Sequence, residues 1–138
     1  MTIPVHIVGG NTEAIVTPHG ELVVAPLSPN VSRHNTMSLV DTAYNFAVPM
    51  HKRKMRLQNV LLYANKGVGV NDATVIIYTA NAIDSLTPIE TILTFELPKY
   101  GSRDLIGLNL ELPGGVYLNA KTDDATIYAT MMGYYTHD

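Results

Sequence analysis

Hydrophobic residues recur at every second position through most of this chain, and that period constrains the fold more than any other feature. In residues 89–97 one parity is mostly apolar, whereas the other carries Glu90 and Glu96. Residues 105–112 and 125–136 alternate in the same way. Such alternation predicts strands with one buried face, because successive side chains of a strand point to opposite sides. The side chains predicted to point inward are Ile89, Leu93, Phe95, Leu97, Ile106, Leu108, Leu110, Leu112, Ile127, Ala129 and Met131.

Two further runs, residues 60–64 and 75–78, are apolar on both parities. A strand with this pattern is either central and covered on both faces, or it lies against a neighbouring subunit. The sequence leaves both alternatives open for each run.

The spacing of these runs predicts the fold class. From Asn35 onward about eight short strands follow one another, separated by turns rich in Gly, Pro, Asn and Asp. The long crossover helices that a parallel sheet requires are missing from the pattern. We therefore predict an all-β protein, with an antiparallel, jelly-roll-like β-sandwich over residues 31–138.

Residues 1–30 differ from the rest and are predicted to form an N-terminal arm. Within the arm, residues 14–16 and 22–24 resemble strands, and His19-Gly20 between them predicts a hairpin. The prolines that follow, Pro26 and Pro29, favour an extended linker. Because a lone hairpin is only marginally stable in water, we expect the arm to dock on its own sandwich or on another chain by strand addition.

Charge and composition argue against several classes of function. A net charge of −3 provides no electrostatic basis for binding nucleic acid or an anionic membrane. The chain has no cysteine, which excludes disulfides, thiolate zinc sites and cysteine nucleophiles. No apolar window approaches the ~18 residues of a membrane span, and residues 1–10 do not resemble a signal peptide.

No motif points to catalysis. The five histidines show no metal-ligand spacing, and the serines lack a Gly-x-Ser-x-Gly elbow. The glycine-rich residues 67–72 match neither phosphate-binding pattern. Asp123 and Asp124 could bind a cation, but a turn between two strands explains them more simply, since Asp side chains bond to nearby backbone amides. We therefore predict that the protein is not an enzyme and uses no metal, cofactor or small-molecule substrate.

Basic residues are concentrated at one place, where Lys52, Arg53, Lys54 and Arg56 follow His51. This run could meet an acidic surface of a partner protein. The alternative is a solvated loop leading into the next strand, where lysines also discourage unwanted pairing of strands.

Tyrosine dominates the aromatic residues, with eight Tyr against two Phe and no Trp. Tyrosine buries a ring while its hydroxyl stays in water, a property enriched at subunit interfaces and in sugar-binding faces. Tyr128, Met132 and Tyr134 share one parity of the last predicted strand, so we predict that they contribute to an interface between copies. Simple strand propensity is the competing explanation.

Several segments resemble small structural proteins of tailed bacteriophages, and together they span most of the chain. They are residues 13–24, 59–66, 69–78, 107–110, 113–118 and 119–135. The resemblance implies a jelly-roll-like sandwich of the kind found in capsid decoration, or cement, proteins. It also implies a trimer on the outer capsid surface that braces neighbouring shell subunits. It implies no catalytic residues.

On this basis the sequence predicts a virion structural protein, made in the host cytoplasm, that stabilises the phage head. Its expected partners are the major capsid protein and sister subunits in a homotrimer. The residues predicted to bind the shell are Ile15, Val16, Leu22, Val23, Val24, Lys52, Arg53, Lys54 and Arg56. The alternative is a β-sandwich module of a tail, fibre or baseplate that binds carbohydrate of the host surface.

Overall fold

The computed structural model is all-β over the residues that it describes. These residues are the strands His6–Gly9, Thr12–Val16 and Leu22–Val23 and the ranges 30–65, 72–123 and 126–136. Within them, no helix is long and apolar enough to cross a membrane. The strands are β1 (His6–Gly9), β2 (Thr12–Val16), β3 (Leu22–Val23), β4 (Asn30–Met37), β5 (Tyr44–Ala47), β6 (Met55–Ala64), β7 (Ala73–Ala80), β8 (Glu90–Leu97), β9 (Ser102–Leu105), β10 (Leu110–Glu111), β11 (Tyr117–Thr122) and β12 (Ile127–Tyr135).

The arm contains the predicted hairpin. Strands β2 and β3 pair antiparallel, with Ile15 opposite Val23 and Val16 opposite Leu22, and β1 adds a third strand on the other side of β2. Four of the five arm residues predicted to bind the shell therefore lie in paired strands. The fifth, Val24, lies outside the described residues.

The remaining strands form a sandwich of two antiparallel sheets. The larger sheet has the order β10-β6-β12-β4, with β9 also paired to β6, and the smaller sheet has the order β5-β11-β7-β8. Strands β9 and β10 lie along the same edge of β6, so they act as one interrupted strand. Counted in this way, each sheet has four strands, and their order is that of a jelly roll. The predicted fold class is confirmed.

The core lies between the two sheets. On β12, the alternation of the sequence correctly identified the residues that face this core. Ile127, Ala129 and Met131 are fully buried, as predicted, while the residues between them are half-buried on the opposite side. On the neighbouring strand β6, the inward parity changes between Leu57 and Val60. The register shift between β6 and β12 at this point inserts one extra residue, which is a β-bulge.

Residues 105–112 do not form the single strand that their alternation predicts. Gly107 and Asn109 have positive φ (73° and 51°), so the chain leaves the sheet between β9 and β10. This break lies beside the bulge of β6, where the Asn59 side chain accepts a hydrogen bond from the Gly107 amide at 3.0 Å. As a result Ile106 is 69% exposed, and its predicted inward position is wrong, whereas Leu112 is buried as predicted.

The prediction that Ile89 points inward is wrong, because β8 contains a second bulge. In the β7–β8 pairing, Ile77 lies opposite Leu93 but Tyr78 lies opposite Thr91, so Ile92 is an extra residue. The extra residue reverses the parity of the positions before it. Leu93 therefore packs against the core, whereas Ile89 is exposed.

The two runs that are apolar on both parities have different outcomes. In β7, the outward-facing Tyr78 is fully buried beneath residues 81–89, and its hydroxyl donates a hydrogen bond to the Ser85 carbonyl at 2.6 Å. Asn119 next to it donates to the carbonyl of Ala82 at 3.0 Å and holds the same segment. This run is therefore covered on both faces within one chain. In β6, by contrast, the outward-facing Tyr63 is 38% exposed, so cover by a neighbouring subunit stays a prediction.

The buried phenol groups of Tyr78 and Tyr135 make the free energy of unfolding depend on pH in the alkaline range. Burial raises the pKa of Tyr78 and of Tyr135 above the usual 10.0, although hydrogen bonding to Asn119 and to the Val48 carbonyl acts in the opposite direction. Because the folded-state pKa is the higher one, this contribution to stability is complete below the unfolded-state pKa and is lost as pH rises through the folded-state value. We expect the free energy of unfolding to fall above about pH 10. Urea denaturation as a function of pH measures this fall. A Tyr78→Phe/Tyr135→Phe variant with the same pH dependence as the wild type would contradict the assignment.

Candidate interaction surfaces

Three parts of the described chain meet at one end of the sandwich, which we call the arm end. The first residue of β4, Asn30, pairs with Tyr134 of β12, and Tyr134 also pairs with Arg56 of β6. The Thr136 amide donates to the Lys54 carbonyl at 2.7 Å. The place where residues 1–29 join the sandwich therefore lies beside the basic run and beside Tyr134.

The basic run forms the turn at the arm end and the start of β6. Lys52 occupies the turn with a φ of 55° and is exposed. Lys54 and Arg56 both approach the Glu111 carboxylate, at 4.0 Å and 3.7 Å. Such exposed ion pairs contribute at most about 1 kcal/mol each. Among the described residues, Lys54 and Arg56 share the Glu111 carboxylate, and Lys52 is exposed at the turn, so these three side chains give the arm end a local positive charge.

An open depression separates this basic turn from the turn between β10 and β11. It has a volume of about 300 Å³ and is lined by Pro49, Met50, His51, Lys52, Arg53, Lys54, Gly114 and Gly115. Its lining combines basic side chains with the apolar Pro49 and Met50, which suits an acidic side chain presented by another protein. The sequence prediction of a basic contact site and the prediction of a solvated loop are therefore compatible.

The predicted interface residues Tyr128, Met132 and Tyr134 all lie on the outer face of the larger sheet, the face turned away from the core. Each is half-buried within the single chain. The register places Tyr134 between Asn30 and Arg56, at the arm end, whereas Tyr128 lies in the half of the face away from the arm end. The structure therefore joins Tyr134 to the basic run and separates both from Tyr128.

Tyr128 also belongs to a row of aromatic rings that sequence reasoning missed. Its ring is nearly parallel to that of Tyr63 on β6, with centroids 6.1 Å apart, and to that of His34 on β4, with centroids 6.2 Å apart. The Thr130 hydroxyl lies 2.9 Å from Nδ1 of His34, and the Asn65 side chain donates to the Tyr128 hydroxyl at 3.2 Å. Only the pairing of β4, β12 and β6 brings these rings together, since they are far apart in sequence.

A shallow groove lies beside this row of rings, over β6 and between β9 and β12. Its volume is about 170 Å³ and it is lined by Leu61, Leu62, Tyr63, Ser102, Asp104, Tyr128 and Thr130. Asp104 lies opposite Leu61 in the register, and Ser102 lies opposite Tyr63. The groove thus combines one exposed ring, an apolar floor and a polar rim.

Asp123 lies between β11 and β12, as the sequence favoured, but the backbone amide that it binds is distant in sequence and not nearby as predicted. The Asp123 carboxylate accepts a hydrogen bond from the Thr74 amide at 2.7 Å and so ties the turn to β7. Asp124 and residues 67–71 lie outside the described residues. In the part of the chain that is described, no three His, Asp or Glu side chains come together to hold a metal ion.

No protein-family model matches this chain, and no curated protein is significantly similar to it.

Proposed function

We propose that this protein is a head decoration protein that binds the outer surface of a phage capsid through its arm end. The observation that carries the proposal is the convergence at the arm end of the arm's attachment point and the basic turn, two segments that the sequence independently predicted to bind the shell. Tyr134 lies between them.

The chemistry of the arm end favours a protein partner with acidic side chains. Lys52 and Lys54 are exposed, and both line the depression, so they offer positive charge to a carboxylate. The arm supplies a second contact, because β1 and β3 are the edge strands of a three-stranded sheet. Such edges can pair with a strand of another chain. Two linked contacts bind more tightly than either alone, and a trimer would multiply the effect.

In this proposal sister subunits meet through the half of the outer face nearest the arm end, around Met132 and Tyr134. Both side chains are half-buried in the single chain, and Tyr134 lies opposite Arg56 in the register of β12 and β6. Aromatic residues, Met and Arg are the types enriched at interfaces between proteins. The assembly would then carry several arm ends toward the same shell.

Binding to separated virion parts tests the proposal. Labelled full-length protein is mixed with purified heads, and separately with purified tails, of the phage whose genome carries the gene. We expect saturable co-sedimentation with heads and none with tails. Binding to tails instead of heads would overturn the proposal and favour a tail or baseplate module.

A further inference from the structure

The groove over β6, between β9 and β12, is a feature of the outer face that the proposed shell contact does not use. It lies in the half of the face away from the arm end, because β6 runs from Met55 at the arm end to Ala64 at the opposite end. We propose that this groove binds a neutral sugar ring, such as one residue of a surface polysaccharide.

The apolar part of the groove suits one face of a pyranose. Tyr63 is 38% exposed at the groove, and Leu61 is half-buried beside it. The face of an aromatic ring carries partial negative charge, so it attracts the slightly positive C–H groups on one side of a sugar ring. The neighbouring Tyr128 ring is nearly parallel to Tyr63, at an interplanar angle of 9°, and limits the rotation of that ring. A ring that is held in place loses little entropy when a ligand binds.

The polar rim supplies partners for sugar hydroxyl groups. Asp104 is exposed on β9, and among the described residues no cation or donor side chain pairs with its carboxylate. Ser102 and Thr130 place hydroxyl groups on opposite sides of the apolar floor. A carboxylate can accept two hydrogen bonds from adjacent hydroxyls of one sugar, and hydrogen bonds to a charged acceptor are the stronger kind.

Charge and size define the class of sugar. Asp104 is the charged side chain of the groove lining, so an acidic sugar would meet like charge, whereas a neutral hexose or N-acetylhexosamine would not. A volume of about 170 Å³ is below the roughly 300 Å³ of pockets that enclose drug-sized ligands. The groove therefore fits about one sugar residue at a time, with the rest of a chain in solvent.

The role of sugar binding on an assembled particle depends on where the groove lies there. This role rests on the proposed function, whereas sugar binding itself does not. If the arm end faces the shell, the groove lies on the outer half of the molecule and stays accessible on the assembled particle. Many weak sugar contacts on one particle would then add through multivalency and retain the particle at a glycan-coated surface. Sugar binding by the isolated protein does not depend on shell binding, so the two proposals fail separately.

Titration by NMR tests the inference on the full-length protein. The probes are methyl β-D-glucopyranoside, methyl β-D-galactopyranoside, methyl α-D-mannopyranoside and N-acetylglucosamine, with N-acetylneuraminic acid as the acidic counterpart. We expect at least one neutral sugar to shift the amide signals of residues 61–63, 102–104 and 128–130, and the acidic sugar to leave them unchanged. Failure of all four neutral sugars to shift these signals would overturn the inference.

Matched variants locate the site. Tyr63→Ala is expected to weaken binding about tenfold, because it removes the exposed ring, and Asp104→Asn several-fold. Tyr100→Ala, which removes an exposed tyrosine elsewhere, and Asp84→Asn on residues 81–89 are the controls and should bind as the wild type does. Sedimentation of each variant tests whether a sister subunit, and not a sugar, occupies the groove. If Tyr63→Ala dissociates an oligomer of the wild-type protein, a sister subunit covers the groove and the sugar site is wrong.

Discussion

Replacing Gly133 with alanine is expected to destabilise the protein by about 3 kcal/mol or more. Gly133 lies on β12 opposite Leu57, at the bulge of β6. A methyl group at this position would overlap the carbonyl oxygen of Arg56 and would lie 3.0 Å from the terminal methyl of Met55. The overlapping atom belongs to the backbone of the paired strand, so no side-chain rotation can relieve the contact. Only a separation of β6 and β12, the two central strands of the larger sheet, would make room.

Chemical denaturation monitored by circular dichroism measures the effect, and Gly114→Ala is the matched control. At Gly114 the nearest atom to an added methyl would be the Arg53 carbonyl oxygen, at an ordinary distance of 3.6 Å. We expect this control to change the free energy of unfolding by no more than about 0.5 kcal/mol. Equal stabilities for the two variants would show that β6 and β12 do not pack as closely as described.

Removal of residues 1–29 is expected to lower affinity for purified heads by about 100-fold or more, while the sandwich stays folded. The cut follows residue 29 because Asn30 pairs with Tyr134 and belongs to β4. The described core residues all lie between Val31 and Tyr135, so the truncated chain retains them. Co-sedimentation measures the affinity, and circular dichroism with thermal unfolding confirms the fold. Head binding that is unchanged by the truncation would remove the arm from the proposed contact.

Charge reversal separates the basic turn from the arm. Lys52→Glu/Lys54→Glu is expected to weaken head binding and to make the remaining binding less sensitive to salt, because it removes attraction to acidic groups. Lys99→Glu/Arg103→Glu is the control, since it changes the net charge equally but lies on the turn before β9 and on β9 itself. If both double variants weaken binding to the same extent, general charge and not the basic turn attracts the shell.

Features that depend on neighbouring residues could be predicted from the sequence. The alternation of residues 125–136 correctly identified Ile127, Ala129 and Met131 as buried, because the period of two is a local property of a strand. The β2–β3 pairing was predictable for the same reason, since the two strands are close in sequence. The bond of Asp123 was not predictable in this way, because its carboxylate accepts from the amide of Thr74, which is distant in sequence. The jelly-roll-like sandwich of two antiparallel sheets also agrees with the prediction.

Predictions of inward-facing side chains were wrong next to a bulge and next to a break between two strands. The inward positions predicted for Ile89 and Ile106 are wrong, because one extra residue at Ile92 and positive φ at Gly107 and Asn109 change which face the chain presents. The sequence alternates between apolar and polar residues both before and after such an irregularity, so the irregularity does not show in the pattern. Whether a residue is inserted depends on the partner strand, and nothing local specifies that partner.

The sequence by itself determined that the chain forms short strands with one apolar face, and which side chains share each face between bulges. Only the tertiary structure decided that β4, β12 and β6 pair in a register that joins His34, Tyr128 and Tyr63, and that the arm leaves the sandwich beside the basic turn. The physical reason is that the period of a strand is set by its own backbone, whereas register between distant strands is set by how their buried faces pack together.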